Sequence, residues 1–328
     1  MINNLGVSFD GFATTSEVLK TAHHAVAAGV QNLWMAEHLG YREAFVTAMG
    51  FRMNDPGAMV VPTAVSPYLW HPTPTAMSLA TLAEVGNVPV GIAVATGNPM
   101  FLEESGKEIV KPIAAVKEFV EILRQIWNGD PVHYNGKIFM LSGAQLAFKP
   151  PQPLIIYVAA IGPQMLRLSG RIADGIVLSA GLSPQYCKRS LDVVSNAAIK
   201  SGRNPDKIKK AAYIIFSVSH DGKSAISRAR AKLAFLLRNR ALEENIAVTG
   251  IPVDQDKIID AIGRRAMEEA ANLVSDDAVE AFTVAGTPKD CRERIEAFYA
   301  NGVHEPVLMI QGDGLERDSA INFLRELK

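Results

Sequence analysis

Short, continuous apolar runs alternate along this chain with longer stretches in which apolar residues return every three or four positions. The first pattern is that of strands buried on both faces, and the second is that of helices with one face in a core. Leu5–Phe9 reads as a strand. Ser16–Ala28, with Val18, Leu19, Ala22 and Val26 at helical spacing, reads as a helix closed by Gly29. Strand patterns recur at Asn32–Ala36, Ala58–Val65, Val88–Ala95, Pro153–Ala160, Ile172–Ser179, Ala211–Val218 and Pro306–Ile310. Helical patterns fall between them, at Tyr41–Met49, Thr73–Val85 and Lys111–Asn128, from Pro163, at Pro184–Lys200 and Lys223–Arg240, from Pro288, and after Ile310. The alternation predicts a parallel α/β fold, and about eight such units in one chain is the count of a TIM (β/α)8 barrel.

Three stretches disturb the repeat. Tyr134–Leu141 reads as a small hairpin around the turn dipeptide Asn135 and Gly136. Val61–Tyr68, with two prolines, is irregular for a barrel strand and is expected to leave the sheet early. The region 223–285 is mostly helical and too long for one crossover helix; it is expected to sit before the last strand and to cap the carboxyl end of the barrel. A barrel of this length needs no second domain, so residues 1–328 are read as one unit with insertions at its C-terminal face.

Composition narrows the class. The net charge is −1 with scattered Lys and Arg, which leaves no basic stripe for a nucleic acid. No apolar run reaches the roughly 18 residues of a membrane span. The first residues lack the charged and apolar regions of a signal peptide. Cys187 and Cys291 lie far apart in charged helical contexts, and the simplest account is a cytoplasmic protein with reduced thiols.

The chemistry of such a barrel belongs at the carboxyl ends of its strands. Glu37 and His38 end the second, where an imidazole titrating near neutrality gives or takes a proton; the alternative is a histidine bonded to a neighbouring loop. Ala64, Val65 and Ser66 end the third, followed by His71, which reads as structural in a turn before Pro72. Thr96, Gly97 and Asn98 end the fourth and offer hydrogen-bonding groups to a heterocycle edge or a phosphate. After Ala160, Gly162 and Pro163 open a helix whose free N–H groups near Gln164 and Met165 form an anion site, unless the turn is simply unliganded. Phe9, Met35 and Tyr157 read as core rather than as a cofactor wall. His23 and His24 are adjacent on one helix and cannot chelate from one face, so no metal site is expected. The glycine-rich dinucleotide fingerprint, the Walker loop and the nucleophile elbow are all missing from the sequence.

Taken together, Leu33–His38, Trp70–Ala76, Ala95–Asn98, Ile155–Met165, Ile172–Gly175 and Ala285–Pro288 resemble the bacterial-luciferase-like superfamily, over nearly the whole chain from Leu5 to about Ile310. Within it the chain is most similar to the coenzyme F420-dependent branch, which includes methylenetetrahydromethanopterin reductases. The resemblance implies a TIM barrel with a deazaflavin or flavin across its mouth and a hydride passed to or from a small organic substrate. It places Glu37 and His38 at the reactive face, with His38 as general acid or base. It also implies a non-prolyl cis peptide, here between Ala64 and Val65, backing the ring. Thr96, Gly97 and Asn98, together with Ala160, Gly162, Pro163 and Gln164, match positions that hold the cofactor's side chain and phosphate. Where reductases carry a first-strand glutamate this chain has Ser8, and where F420-dependent glucose-6-phosphate dehydrogenases carry a glutamate it has Asn98, so neither substrate carries over. An alternative in the same superfamily is a monooxygenase supplied with reduced FMN by a partner flavin reductase, which requires a well-ordered lid from 223–285. Another is a flavin-binding protein without catalysis. The family's outer helices pair between subunits, which implies a homodimer through Lys111–Asn128.

Overall fold

A computed structural model describes residues 4–327. In chain order the first elements are β1 (Gly6–Phe9), α1 (Thr15–Ala27), β2 (Asn32–Ala36), α2 (Ala44–Asn54), β3 (Met59–Thr63), α3 (Pro72–Glu84), β4 (Val90–Val94), α4 (Pro99–Glu104) and α5 (Pro112–Asn128). Then follow β5 (Val132–Asn135), β6 (Met140–Ala144), β7 (Leu154–Ala160), α6 (Pro163–Ile172), β8 (Gly175–Leu178), α7 (Pro184–Lys200) and β9 (Lys209–Val218). The remainder comprises α8 (Gly222–Leu237), α9 (Glu243–Thr249), α10 (Gln255–Gly263), α11 (Met267–Asn272), α12 (Asp276–Phe282), β10 (Val284–Gly286), α13 (Pro288–Ala300), β11 (Glu305–Ile310) and α14 (Gly314–Glu326).

Eight strands pair in parallel in the order β3-β2-β1-β11-β9-β8-β7-β4. The ring closes where Val65 bridges Val94: the Val65 N–H donates to the Ala93 carbonyl at 2.8 Å, and the Ala95 N–H donates to the Val65 carbonyl at 3.1 Å. The fold is therefore the TIM barrel expected. β3 does end early, at Thr63, before the chain touches β4 again at Val65. The non-prolyl cis bond joins Thr63 to Ala64, one residue before the expected Ala64–Val65. With both backbone polar groups of Val65 already in the β4 ladder, the irregular bond falls ahead of that residue.

Side chains alternate in and out of the barrel, and the inward set changes size along each strand. Its lower layers hold Trp34, Val61, Tyr157 and Val307 in one buried cluster. Glycines on intervening strands make the room. A Cβ on Gly6 would lie 2.8 Å from Glu305 Oε1 and Trp34 Nε1, and one on Gly91 would lie 2.7 Å from Val61 Cγ2. One on Gly175 would run into the Tyr157 ring. Trp34 Nε1–H donates to Glu305 Oε1 at 2.7 Å, so this buried carboxyl is partnered; burial pushes its pKa up.

Outside the barrel, Arg52 is fully buried on α2 and donates to the carbonyls of Ala58, Leu82 and Val88, tying α2 to the ends of α3 and the approach to β4. The predicted hairpin is β5–β6, and the Glu118 carboxylate of α5 accepts the N–H groups of Lys137, Ile138 and Phe139 at 2.7, 2.9 and 3.1 Å. The apolar face of α5, including Val116, Phe119, Val120 and Leu123, is thus consumed within its own chain. The helical excursion after β9 is resolved into α8 to α12. It ends not at β11 but at a ninth strand, β10, which pairs in parallel with Phe216–Val218 and which its three-residue length hid in the sequence.

Candidate active site

At the carboxyl end of the barrel the inward side chains of β2, β7 and β8 shrink, while those of β9 and β11 grow from Ala211 and Val307 to Tyr213 and Met309. Two residues after Trp34, Val61, Ala93, Tyr157 and Val177 come Ala36, Thr63, Ala95, Ala159 and Ser179, and these five line a cavity of about 620 Å3. That volume falls within the range of small-molecule and cofactor sites. The cavity gathers eight of the residues singled out from the sequence: Glu37, His38, Ala64, Thr96, Gly97, Asn98, Ala160 and Gly162. It does not include Val65, whose side chain is in the core, nor Pro163 and Gln164, which are exposed at the start of α6; Met165 reaches in instead.

His38 is oriented by its surroundings. Its Nδ1 lies 2.9 Å from the Asp10 backbone carbonyl, which can only accept, so Nδ1 carries the proton and Nε2 is the nitrogen free to exchange one. The ring is flanked by Phe12 and Phe101, with centroids at 5.1 and 6.2 Å. Burial lowers the imidazole pKa, Lys232 lowers it further, and the Asp10 carbonyl and carboxylate oppose both. The neutral form is favoured at pH 7.

Glu37 lines the same cavity, but its Oε2 accepts the Ala44 N–H at the start of α2 at 2.9 Å. Burial raises its pKa. With Glu43 accepting from Phe45 and Val46, two carboxylates serve one helix start, and Glu37 fixes the segment that carries His38. Asn98 is likewise half committed: its Oδ1 accepts the Met100 N–H at 3.1 Å as the cap of α4, which leaves its Nδ2 donors free. Gly97 has φ +104°, and a Cβ there would press on Ser66, whose Oγ donates to the Thr96 carbonyl at 2.7 Å. This loop needs glycine. His71 caps α3 by accepting the Thr73 N–H at 3.3 Å, the structural role expected.

The start of α6 has no side-chain cap. Pro163 has no N–H, and those of Gln164 and Met165 have no partner inside the helix. A Cβ on Gly162 would meet nothing within 4 Å, so the approach to these donors is open. The hydroxyl of Tyr213, on β9, is buried at the cavity floor with no hydrogen-bond partner, beside Thr63. An apolar cavity with an uncapped helix start on one side and a proton-transfer group on another fits a ring-bearing, phosphate-bearing cofactor.

Ser66 and Met165, also named from the sequence, line the cavity as well, whereas Phe101, Ser179, Tyr213, Leu236, Ala241 and Met309 were missed. Period-two alternation from known inward positions finds Ser179, Tyr213 and Met309. No local signal marks Leu236 and Ala241, which come from α8 and the turn after it. They are the part of the long helical excursion that reaches the cavity, so the expected cap is confined to its first third.

The luciferase-like monooxygenase family model matches residues 6–305. The chain is 28% identical over 303 residues to 5,10-methylenetetrahydromethanopterin reductase of Methanolobus tindarius, covering 90% of this chain and 91% of that one. It is 27% identical over 302 residues to the F420-dependent glucose-6-phosphate dehydrogenase of Nakamurella multipartita, covering 88% and 87%. Among solved structures, the coenzyme F420-dependent tetrahydromethanopterin reductase of Methanopyrus kandleri superposes with a TM-score of 0.88 at 24% identity, over 99% of this chain and 98% of that one. The barrel, its glycine-shaped interior and the matched span together make this chain a member of the luciferase-like monooxygenase family.

Proposed function

We propose that this protein is an F420-dependent oxidoreductase that transfers a hydride between the deazaflavin and a small organic substrate. The observation that carries the reading is His38, with its tautomer fixed by Asp10 and its Nε2 left free, in a largely apolar cavity that runs to the uncapped start of α6. Relatives named for F420-dependent reduction and dehydrogenation support the choice of cofactor. The deazaflavin supplies hydride chemistry when bound. The N–H groups of Gln164 and Met165 would hold its phosphate, and Thr96, Gly97, Asn98 and Ala160 its side chain. Ala64 and the small residues Ala36, Ala95 and Ala159 leave room for the ring. Nε2 of His38 takes the hydroxyl proton when an alcohol is oxidised and returns it when a carbonyl is reduced, while Nδ1–H stays on Asp10 throughout. Glu37 acts by anchoring the backbone next to it.

Two further proposals attach to this reading. The buried, unreactive Cys187 and Cys291 support a cytoplasmic enzyme. A homodimer would use α2 rather than α5, since Val46 and Met53 of α2 are 74% and 69% exposed; sedimentation of a Met53→Glu variant tests it. The cofactor is tested by anaerobic titration with F420 and with FMN, each oxidised and reduced. Tight binding of F420 alone is expected. Preference for reduced FMN, with an oxygen-dependent spectral intermediate, would replace the reading with a monooxygenase.

A further inference from the structure

The hydrogen-bond donors of the cavity are unevenly placed. Among the described residues that line it there is no lysine or arginine; Lys232, whose charge bears on His38, is not one of them. On the side of β2 and β3 the side-chain donors are spent. The Thr63 hydroxyl donates to the Val61 carbonyl at 2.9 Å, and the Ser66 hydroxyl donates to the Thr96 carbonyl at 2.7 Å. His38 Nδ1–H is held by the Asp10 carbonyl, so Nε2 faces the cavity as an acceptor, and Glu37 adds a carboxyl. Tyr213 lines the cavity, yet its hydroxyl oxygen is closed off from it by burial. The rest of that side is carbon, from Leu39, Leu69, Phe101 and Met309.

The donors not spent in this way stand elsewhere. Asn98, with its Nδ2 free, follows β4, and Ser179 follows β8. β4 and β8 are the two neighbours of β7, so both residues flank the start of α6 and its unpartnered N–H groups. β3 and β2 lie two and three strands from β7 around the closed ring. The mouth therefore has one side able to satisfy an anion and one that is not. An anion carried to the His38 side would give up its water for a wall with neither counter-charge nor side-chain donor, and would face the Glu37 carboxyl. A neutral hydroxyl gives up far less and donates to Nε2.

We infer that the His38 side of the cavity selects an uncharged substrate, a neutral alcohol and its carbonyl partner, and turns away organic carboxylates and phosphates. This rests on the oxidoreductase reading above and names the class of its substrate. The donors beside α6 serve the cofactor, and the donor-poor wall serves the substrate. The test is anaerobic calorimetric titration of the protein loaded with reduced F420, using 2-pentanol and its carboxylate analogue 4-hydroxypentanoate; the reduced cofactor accepts no hydride, so neither ligand turns over. The alcohol should bind about tenfold or more tighter than the acid. Leu236→Lys adds a cation to the lining and should raise affinity for the acid by about fivefold or more while that for the alcohol stays within a few-fold. Ala241→Lys, at an exposed position that also lines the cavity, makes the same test if the first variant does not fold. Equal or tighter binding of the acid, no binding of the alcohol, or a preference that folded lysine variants leave unmoved overturns the inference. If F420 fails to bind while the protein alone keeps the preference for 2-pentanol, the cofactor reading falls and this one stands; if F420 binds and the acid is preferred, the reverse holds.

Discussion

The lower barrel and its mouth are built by the same strands two residues apart, yet one is solid and the other hollow. Below, Trp34 and Tyr157 meet with ring centroids 5.0 Å apart, and glycines on neighbouring strands give way to them. Above, Ala36 and Ala159 replace them and a cavity opens, edged by Tyr213 and Met309. Stability and ligand capacity are thus assigned to adjacent layers of one sheet, and a substitution should affect one or the other according to its parity and height along a strand.

The strongest check on that division is Tyr157→Ala. It should cost about 3–5 kcal/mol of stability, the usual range for emptying a large buried aromatic site, while F420 affinity in the surviving folded fraction changes little. Denaturant melts alongside cofactor titration measure both, and a selective loss of binding would dissolve the division. The reverse case is His38→Ala, expected to lower turnover by about 10²-fold or more with F420 affinity held within a few-fold and the melt unmoved. Unchanged turnover removes His38 from the mechanism.

The burial that lowers the His38 pKa gives the sign of a pH profile. Oxidation of an alcohol requires neutral Nε2, so the acid limb of kcat/KM, which reports the free enzyme, should have its midpoint below the ordinary 6.5, with activity falling as pH drops through it. A midpoint above 6.5 contradicts the orientation described. Gly162→Val, at the opposite side of the mouth, should weaken F420 binding by about tenfold by filling the open approach to the α6 donors. Retained affinity would put the phosphate elsewhere.

The smallest expected effect is at the barrel floor. Burial raises the Glu305 pKa in the folded state, so its contribution to stability is fully present below the unfolded value near 4.5 and is lost as pH rises through the folded one. Glu305→Gln keeps an acceptor for Trp34 Nε1–H and removes the ionisation. It should flatten stability against pH above that point and leave turnover alone; an unaltered pH dependence of the melt would show that the carboxyl is not the cause.

The sequence carried the barrel because buried parallel strands are long apolar runs, and because Pro at the first helical turn, as at Pro163 and Pro288, and Gly29 mark helix boundaries. It did not show α4 and β10, whose six and three residues are too short to display a period. Within the site, strand-end residues such as His38, Gly97 and Gly162 were found because topology alone brings strand ends together. Contacts between distant elements were not: the Asp10 carbonyl on His38, Phe12 and Phe101 around its ring, and Leu236 over the cavity depend on where loops and α8 fold back. The cis bond was displaced by one residue because hydrogen bonding to β4, not local sequence, decides where β3 re-enters the ring.

The helical excursion after β9 has an evolutionary consequence. It touches the cavity through Leu236 and Ala241 alone, while α10, α11 and α12 rest on α8 rather than on the ring of strands. Lineages can therefore remodel this roof, lengthening it or exchanging its helices, and acquire new substrate preferences while inheriting the cofactor platform and the folded barrel intact.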